Sequence, residues 1–400
     1  MLKSNGFQST SLVHVYFMGG GNKRLMGRLL LKDRKIFFEY DASFIKTGLA
    51  LSPFKLPLKQ GVIKSDDAVF DGLFGVFNDS LPDGWGRRLL DRKLMKAGLH
   101  PTSLSPLDRL CYVGSTGMGA LAYEPENPKE APLPHEHLDD IAEEIYQFEE
   151  HDNDRFVDDL LTLGASSTGA RPKIILRFEN EDWMVKFRSS MDPKDIGNIE
   201  YAYHLMAIEA KLNVPEARLF SSRKTAGYFG TKRFDRVQNT PIHMHTLSGL
   251  LHADHREPSL DYETIMKVTL WLTHDREMCE KQFRATVFNV LSHNRDDHAK
   301  NFSFLMDEKG TWSVSPAYDL TFSLGPGAEH CTTVMGEGRY PNLDHLHQLA
   351  VVGNIERTQT IIDEVSSAVE KWPLFAEQAG VSRASRNLIQ TTLNQLKKNI

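Results

Sequence analysis

The segment from Val290 to Asp319 constrains the fold of this chain more than any other part of its sequence. Within it, Asp296 and Asn301 are five residues apart. A polar turn, Asp307–Gly310, then separates two short β-forming runs and predicts a hairpin, which ends shortly before Asp319. The fold must therefore bring one short loop and the end of one hairpin to the same place, with three oxygen-bearing side chains between them.

The spacing of Asp296 and Asn301 matches the Asp-x4-Asn of a protein-kinase catalytic loop, in which the Asp accepts a proton from the attacking hydroxyl and the Asn holds magnesium. Asp319 lies where kinases keep their principal magnesium ligand, although Asp-Leu-Thr replaces Asp-Phe-Gly here. Magnesium often takes only one or two protein oxygens, so Asn301 and Asp319 would suffice. Singly, such residues are more often caps and turn formers. Their order together favours a phosphoryl-transfer site.

Two upstream features would complete a nucleotide site. Lys186 lies in the apolar strand Trp183–Phe187, much as the ATP-binding lysine lies in its strand in kinases, and the alternative is a solvent-facing lysine. Glu200, 14 residues further on in a predicted helix, is its expected partner, with Glu209 as the alternative. Before the strand pair, a loop of glycine and hydroxyl residues could let backbone N–H groups approach phosphates. Its predicted nucleotide contacts are Gly164, Ser166, Ser167, Thr168 and Gly169.

Composition excludes several other classes of protein. A chain of 400 residues with 40% hydrophobic and 25% charged residues suggests two or three globular units. Its net charge of −6 argues against nucleic-acid binding by bulk electrostatics. The three cysteines lie far apart and form neither a disulfide framework nor a zinc motif, which favours a cytoplasmic protein. We find neither a signal peptide nor a membrane-spanning run, so no membrane partner is expected.

The pattern along the chain predicts four regions. Residues 1–125 form a strand-rich N-terminal subdomain, with a hairpin turning at Lys32-Asp33-Arg34. Residues 126–155 are a linker and a connecting helix, since four prolines lie within 124–138. Residues 156–236 form a small ATP-binding lobe, and residues 237–400 form a mainly helical catalytic lobe.

Several residues favour a structural role over a chemical one. Gly114–Gly119 is glycine-rich but lacks the context of a dinucleotide loop, so we interpret it as a turn. Trp85 and Trp271 are expected in the core. The histidines at 243, 245, 252 and 255 are expected to be ordinary polar surface, with one of them near the nucleotide or substrate and with a zinc site as the less favoured alternative.

In these motifs the chain resembles the HipA family of bacterial serine/threonine kinases, the toxins of type II toxin–antitoxin modules. The resemblance spans nearly the whole chain, and its catalytic-loop and Arg-Phe-Asp-Arg motifs are the most specific. The matching segments are Leu51–Pro53, Asn78–Trp85, Gly114–Leu121, Gly169–Lys173, Val185–Lys186, Arg233–Arg236, His293–Phe302 and Pro316–Leu320.

The resemblance implies an α+β, protein-kinase-like two-lobed fold, in the PI3/4-kinase-like variant of HipA toxins, with the strand-rich subdomain in front. It implies ATP and Mg²⁺, with Asp296 as catalytic base, Lys186 as the ATP lysine, and Asn301 and Asp319 as metal ligands. His298 falls on a family histidine that braces this loop beside the nucleotide. Ser166 corresponds to the serine that the family autophosphorylates, with Ser167 as the alternative.

The resemblance also implies partners and an outcome. The expected substrate is a translation-related protein such as an aminoacyl-tRNA synthetase, and the expected outcome is growth arrest. The expected partner is a helix-turn-helix antitoxin of the HipB type, through which DNA would mainly be bound. Two alternatives stay open: a kinase that uses the same site on a small molecule, and a catalytically silent component that only binds an antitoxin and operator.

Overall fold

The N-terminal region is built on one antiparallel sheet. The computed structural model describes residues 9–66, 68–96, 98–127, 137–151, 154–164 and 169–399. The sheet has the strand order β4-β3-β2-β1-β5. Its strands are β1 (Leu12–Phe17), β2 (Arg24–Lys32), β3 (Lys35–Tyr40), β4 (Val62–Lys64) and β5 (Leu121–Glu124). The helices are α1 (Ala42–Ile45), α2 (Gly75–Asn78), α3 (Gly84–Lys96) and α4 (Pro106–Val113).

The predicted hairpin between β2 and β3 is confirmed. Its turn consists of Asp33 and Arg34, which both have positive φ, at 50° and 59°. Two such residues give a turn whose twist matches that of the flanking strands. One face of the sheet is buried, since Val13, Val15 and Phe17 alternate with more exposed residues along β1.

The small lobe follows two helices, α5 (Leu138–His151) and α6 (Val157–Gly164). Its sheet has the order β6-β7-β9-β8. The elements are β6 (Lys173–Phe178), β7 (Glu181–Lys186), α7 (Ile196–Glu209), β8 (Ala217–Phe220) and β9 (Tyr228–Lys232). The turn between β6 and β7 consists of Glu179 and Asn180, which both have positive φ.

The region from Arg236 onward, called the large lobe below, is mainly helical. Its strands are β10 (Arg236–Val237), β11 (Thr240–Pro241), β12 (His243–Thr246), β13 (Leu260–Asp261), β14 (Ser303–Met306), β15 (Trp312–Val314) and β16 (Thr332–Thr333). Its helices are α8 (Leu247–Leu251), α9 (Tyr262–Thr273), α10 (Arg276–Leu291), α11 (Leu343–Gly353), α12 (Thr358–Glu370), α13 (Trp372–Gln378) and α14 (Arg383–Asn399). The predicted hairpin is β14–β15, which pairs with β12 in a three-stranded sheet. Among the described residues, none of the helices combines the length and apolarity that crossing a membrane requires.

Three buried clusters hold the structure together. One lies under the N-terminal sheet, and another fills the large lobe. The third joins the N-terminal region to the small lobe, because Trp85 and Leu89 of α3 pack with Leu160 of α6 and with Trp183 and Val185 of β7. Helix α3 therefore belongs to the packing of the small lobe, although its sequence lies in the N-terminal region.

Two predictions about burial are wrong. Trp271 is 52% exposed, because it lies on the outer face of α9, where its ring meets Phe54 at 4.5 Å between centroids. His243, His245 and His252 are buried rather than on the surface. The described residues contain no group of three or more His, Cys, Asp or Glu side chains that could hold a metal ion, which leaves the zinc alternative without support.

The buried histidines tie the large lobe to the N-terminal region. His245 Nδ1 is 2.6 Å from Asp79 Oδ2, and its Nε2 is 3.0 Å from Ser52 Oγ. The Gly75 N–H donates to His252 Nε2 at 2.9 Å. Each ring nitrogen that pairs in this way avoids the cost of an unsatisfied buried polar group, which explains why histidines lie in a dry interface.

Candidate functional site

A cleft of about 490 Å³ separates the small lobe from the loop that follows α10. This volume lies within the usual range for small-molecule sites. The cleft draws its lining from distant parts of the chain, including Gly169, Lys186, Asp296, Asn301 and Asp319. Five residues that the sequence singles out therefore meet in one cavity.

Lys186 lies at the centre of an ion-pair network in this cleft. Its Nζ is 2.7 Å from Glu200 Oε2 and 2.5 Å from Asp319 Oδ1. Glu200 lies on α7 and also pairs with Arg171, at 3.2 Å. Glu209 pairs instead with Lys371, outside the cleft. Lys186 is thus mostly buried between two carboxylates rather than facing solvent, and it joins the small-lobe sheet to the end of the β14–β15 hairpin.

The network shifts the ionisation of its members. Burial alone would lower the pKa of Lys186, but Asp319 and Glu200 outweigh burial and raise it. Burial alone would raise the pKa of Asp319, but Lys186 and Lys173 hold it well below its usual range. Both groups therefore stay charged at neutral pH, and Asp319 remains an anionic oxygen donor.

The loop after α10 holds the two other predicted site residues. Asp296 is exposed at the cleft, while its neighbours Arg295 and Asp297 are buried. The Nδ2 of Asn301 donates to the backbone carbonyl of Asp296 at 2.6 Å, so that contact leaves its Oδ1 as an acceptor. Desolvation within the cleft raises the pKa of Asp296, opposed by His298 and reinforced by Asp319. A carboxylate with a raised pKa is a better proton acceptor than an ordinary Asp.

Asp319 has a backbone conformation that few residues adopt. Its φ is +54°, in the left-handed region, where Asp is tolerated better than most side chains. Hydrogen bonds fix the two residues before Asp319. The Tyr318 hydroxyl donates to the Lys300 carbonyl at 2.5 Å, and the Ala317 N–H donates to the Asn213 carbonyl at 2.7 Å. Such conformations persist where the surroundings impose them, commonly at functional sites.

Asp297 fixes the segment that follows Asp319. Its carboxylate accepts hydrogen bonds from the Tyr262 hydroxyl at 2.7 Å and from Cys331 N–H at 2.9 Å, and His330 Nδ1 lies 2.9 Å away. The Thr332 hydroxyl donates to the Asp297 carbonyl at 2.5 Å. No pattern in the sequence assigns Asp297 a chemical role, although it lies directly beside Asp296.

Sequence reasoning also missed several cations. Arg171, Lys173 and Lys300 line the cleft together with His255 and Arg256. Arg171 and Lys173 lie in the short Gly-Ala-Arg-Pro-Lys run, where a basic residue just after a glycine-rich loop is a usable signal for a phosphate site. Lys300 gives no such signal, because its partner is distant in sequence.

The remaining predicted residues fall outside this set of contacts. Gly164 ends α6 and is buried, and a Cβ added to it would lie 2.8 Å from the Lys173 carbonyl, so it serves close packing. His298 lines the cleft, with its ring 5.7 Å from that of His255 and its Nδ1 buried without a hydrogen-bond partner among the described residues. Ser166, Ser167 and Thr168 lie outside the described residues.

The Arg-Phe-Asp-Arg motif lies away from the cleft lining and joins two regions of the chain. Asp235 is fully buried and pairs with Arg233 and Arg236, each at 2.7 Å. Both arginines also donate to the Gly117 carbonyl, and the Gly119 N–H donates to Asp235 at 2.8 Å. The glycine-rich turn at 114–119 is therefore the partner of this motif.

The donor set fits a hard divalent cation bound with a nucleotide. Asn301 and Asp319 offer an amide and a carboxylate oxygen, which are the ligand types that Mg²⁺ takes when phosphates supply the rest. Lys186, Lys173 and Arg171 supply the positive charge that a polyphosphate needs. The described residues of the lining include no cysteine, so this donor set does not suit a soft metal.

Comparison with known proteins decides the family. A family model described as the HipA-like C-terminal domain matches residues 165–372, and one described as the HipA N-terminal domain matches residues 21–124. The chain belongs to the HipA family. The family predicted from the sequence motifs is thereby confirmed.

Relatives and solved structures agree with this assignment. A protein of Sinorhizobium fredii with the provisional name kinase Y4dM is 25% identical over 53% of this chain and 53% of its own length. A Haemophilus influenzae protein with a provisional kinase name is 27% identical over 42% of this chain and 54% of its own length. The chain thus matches about half the length of these curated relatives.

The fold is that of a solved HipA structure. A chain from the Shewanella oneidensis complex of HipA, HipB and operator DNA superimposes with a TM-score of 0.67 at 16% identity. The superposition covers 96% of this chain and 95% of that one. The predicted fold class, α+β with a kinase-like two-lobed body, is confirmed.

Proposed function

We propose that this HipA-family chain transfers the γ-phosphoryl group of ATP to a serine or threonine hydroxyl of a protein. One observation carries the proposal: Lys186 lies between Glu200 and Asp319, and Asp319 shares a cleft with Asp296 and Asn301. Lysine, base and oxygen ligands in one cleft are the parts that phosphoryl transfer requires. The kinase names of two relatives support the same reaction class.

Each group then has a role. Lys186 binds the phosphates, and Glu200 holds its side chain in place. The hydroxyl oxygen forms a bond to the γ-phosphorus while the bond to the bridging oxygen of ADP breaks, and Asp296 accepts the hydroxyl proton. Asn301 and Asp319 would hold Mg²⁺, which neutralises charge on the phosphates. Because there is little covalent chemistry for the protein to do, catalysis rests on position and charge.

The substrate class follows from the family alone. We infer a translation-related protein, such as an aminoacyl-tRNA synthetase, as the target, with growth arrest as the outcome. A HipB-like helix-turn-helix antitoxin would be the partner and would make most of the DNA contacts, in line with the complex formed by the Shewanella relative. Autophosphorylation is proposed at Ser166, with Ser167 as the alternative, and mass spectrometry after incubation with ATP and Mg²⁺ tests both sites.

Label transfer tests the proposed reaction. Purified protein is incubated with γ-labelled ATP, Mg²⁺ and a cell lysate, beside the Asp296→Asn variant. We expect labelled protein bands that yield phosphoserine or phosphothreonine, and none with the variant. Label found only in small molecules would replace this proposal by the small-molecule kinase, and no transfer by the wild type would favour the catalytically silent component.

A further inference from the structure

One acidic residue of the N-terminal region reaches the cleft between the lobes. Asp83 immediately precedes α3, and it lines the cleft together with Gly84. Its side chain is 16% exposed. The proposed reaction gives this residue no role, and the ion pairs of the described residues join its carboxylate to Lys300 and His255 rather than to Lys186. Its partners instead connect the two lobes.

The first partner is the end of the glycine-rich loop. Gly169 N–H donates to Asp83 Oδ1, and Trp85 N–H donates to the Gly169 carbonyl at 3.0 Å. Both backbone polar groups of Gly169 are therefore held by the residues around the start of α3. The contact is close: a Cβ on Gly84 would lie 2.6 Å from the Gly169 carbonyl oxygen, and Gly169 has a φ of +95°. Glycine is needed at both positions because neither has room or backbone freedom for a side chain.

The second partner is the catalytic loop. Lys300, between Asp296 and Asn301, is 7% exposed and pairs with Asp83 Oδ2 at 2.5 Å. His255 Nε2 lies 3.9 Å from the same oxygen. Burial alone would raise the pKa of Asp83, but Lys300 and the Gly169 N–H outweigh it and keep the carboxyl ionised. Removing this mostly buried carboxylate would leave the Gly169 N–H and the Lys300 ammonium group without their acceptor, which costs free energy.

We propose that Asp83 is a positioning residue through which the N-terminal region sets the glycine-rich loop and the catalytic loop relative to each other. The two oxygens divide the work, one holding Gly169 of the small lobe and the other Lys300 of the large lobe. The N-terminal region then affects nucleotide affinity, because Asp83 fixes the positions of the glycine-rich loop and of Lys300, both of which line the cleft. This inference rests on the proposed nucleotide site, but its geometric part does not.

Helix α3 supplies a matched control. Lys93 Nζ pairs with Asp158 Oδ1 of α6 at 2.8 Å, so it also joins α3 to the small lobe. Neither residue lines the cleft. The Lys93→Met variant therefore removes a link between the same regions without touching Gly169 or Lys300.

Hydrogen exchange tests the geometric part without nucleotide. In the full chain, we expect Asp83→Ala to raise exchange severalfold in peptides covering Gly169–Ile174, while Lys93→Met leaves these peptides unchanged. Wild-type exchange in the Asp83→Ala variant would overturn the inference. Hydrogen exchange tests the positioning of Gly169 without nucleotide. If the chain bound no nucleotide, the proposed function would fail, but this test of Asp83 would remain valid.

Nucleotide titration tests the coupling. Titration calorimetry with a non-hydrolysable ATP analogue and Mg²⁺ should show roughly tenfold weaker binding for Asp83→Ala and for Lys300→Met, since each loses a charged buried hydrogen bond. The double variant should be no weaker than the weaker single one, because the two residues act as a pair. Additive losses of affinity, or a wild-type affinity in Asp83→Ala, would contradict the positioning role. The Asp83→Asn variant keeps an acceptor for Gly169, so its affinity should lie between those of the wild type and Asp83→Ala.

Discussion

At the scale of single residues, the cleft shifts the pKa values of Asp319 and Asp296 in opposite directions. Asp319 is held ionised by Lys186 and Lys173, so its pKa is lowered. Among the described residues Asp296 forms no ion pair of this kind, and desolvation raises its pKa, opposed by His298. Two carboxylates whose environments separate their pKa values commonly divide the roles of ligand and base. The assignment of roles therefore makes a prediction about pH.

The rate should fall in acid because of Asp296. A base with a raised pKa loses its active, ionised form as pH falls through that pKa, while Asp319 stays ionised over the same range. We expect the acidic limb of kcat/KM to lie above the ordinary Asp pKa of about 3.9. Initial rates between pH 4 and pH 8, with tryptophan fluorescence to check folding at each pH, measure it. A rate that is constant down to pH 4 would contradict the role of Asp296.

Lys186 should matter for stability as well as for nucleotide. Replacing it by Met leaves Glu200 and Asp319 facing each other's charge, although Arg171 still pairs with Glu200 and Asp319 is about one-third exposed. We therefore expect Lys186→Met to lower the free energy of unfolding by ~1–3 kcal/mol, less than a fully buried pair would lose. Urea unfolding measures this.

The control for Lys186 lies in the same sheet. Lys232 on β9 pairs with Glu181 at 2.8 Å, but both side chains are about one-third exposed. Lys232→Met should lower the free energy of unfolding by clearly less than Lys186→Met does, because solvent screens an exposed pair. Equal losses for the two lysines would mean that the cleft network is an ordinary surface ion pair.

At the scale of elements, the segment after Asp319 is held in place by the loop that carries Asp296 and Asn301. Asp297 accepts from α9 through Tyr262 and from the segment through Cys331, and it is fully buried. Arg295 adds a donor to the Arg339 carbonyl at 2.9 Å. The loop of Asp296 and the segment beside it therefore form one unit, whose order depends on hydrogen bonds to a single carboxylate.

Removing that charge should loosen the segment. Asp297→Asn places an amide donor among groups that are already donors, so we expect a loss of ~2–4 kcal/mol in unfolding free energy. Limited proteolysis should also cut faster within residues 328–340. Glu329→Gln, whose side chain is 52% exposed in the same segment, should change neither, and equal behaviour of the two variants would contradict the role of Asp297.

The elements also show what the sequence could predict. The β14–β15 hairpin and the pairing of β6 with β7 were predictable, because alternation and turn residues are local signals. Glu200 was predictable as the partner of Lys186 because it lies one connection away. Asp83 was not, since Lys300 follows it by 217 residues and nothing local marks the pair. The histidines failed for the same reason: their partners lie in a different region of the chain.

At the scale of the whole molecule, buried polar contacts join the N-terminal region to the kinase-like body at several places. They include the Asp83 pairs, the Asp79–His245 contact, the Gly75–His252 contact, and the Asp235 cluster with its turn at 117–119. Apolar packing adds a further link through α3. The regions are therefore expected to unfold together rather than separately.

The Asp235 cluster gives the sharpest test of that unity. Asp235→Asn leaves Arg233 and Arg236 buried without a matching charge, so we expect a loss of ~2–4 kcal/mol and a separate early unfolding transition of the N-terminal region. Calorimetry compares it with Arg177→Met, which breaks an exposed pair with Asp182. A single unshifted transition in Asp235→Asn would mean that this cluster does not couple the regions.

We propose above all that Asp296 is the base of phosphoryl transfer and that the cleft binds nucleotide whether or not this carboxylate is present. Single-turnover transfer from γ-labelled ATP with Mg²⁺ tests it most directly, with nucleotide affinity measured on the same proteins. We predict that Asp296→Asn slows transfer by roughly 10²-fold or more while its nucleotide affinity stays within about threefold of the wild type. Asp307→Asn, in the exposed turn of the hairpin, should keep the wild-type rate. Transfer by Asp296→Asn at the wild-type rate would contradict the account.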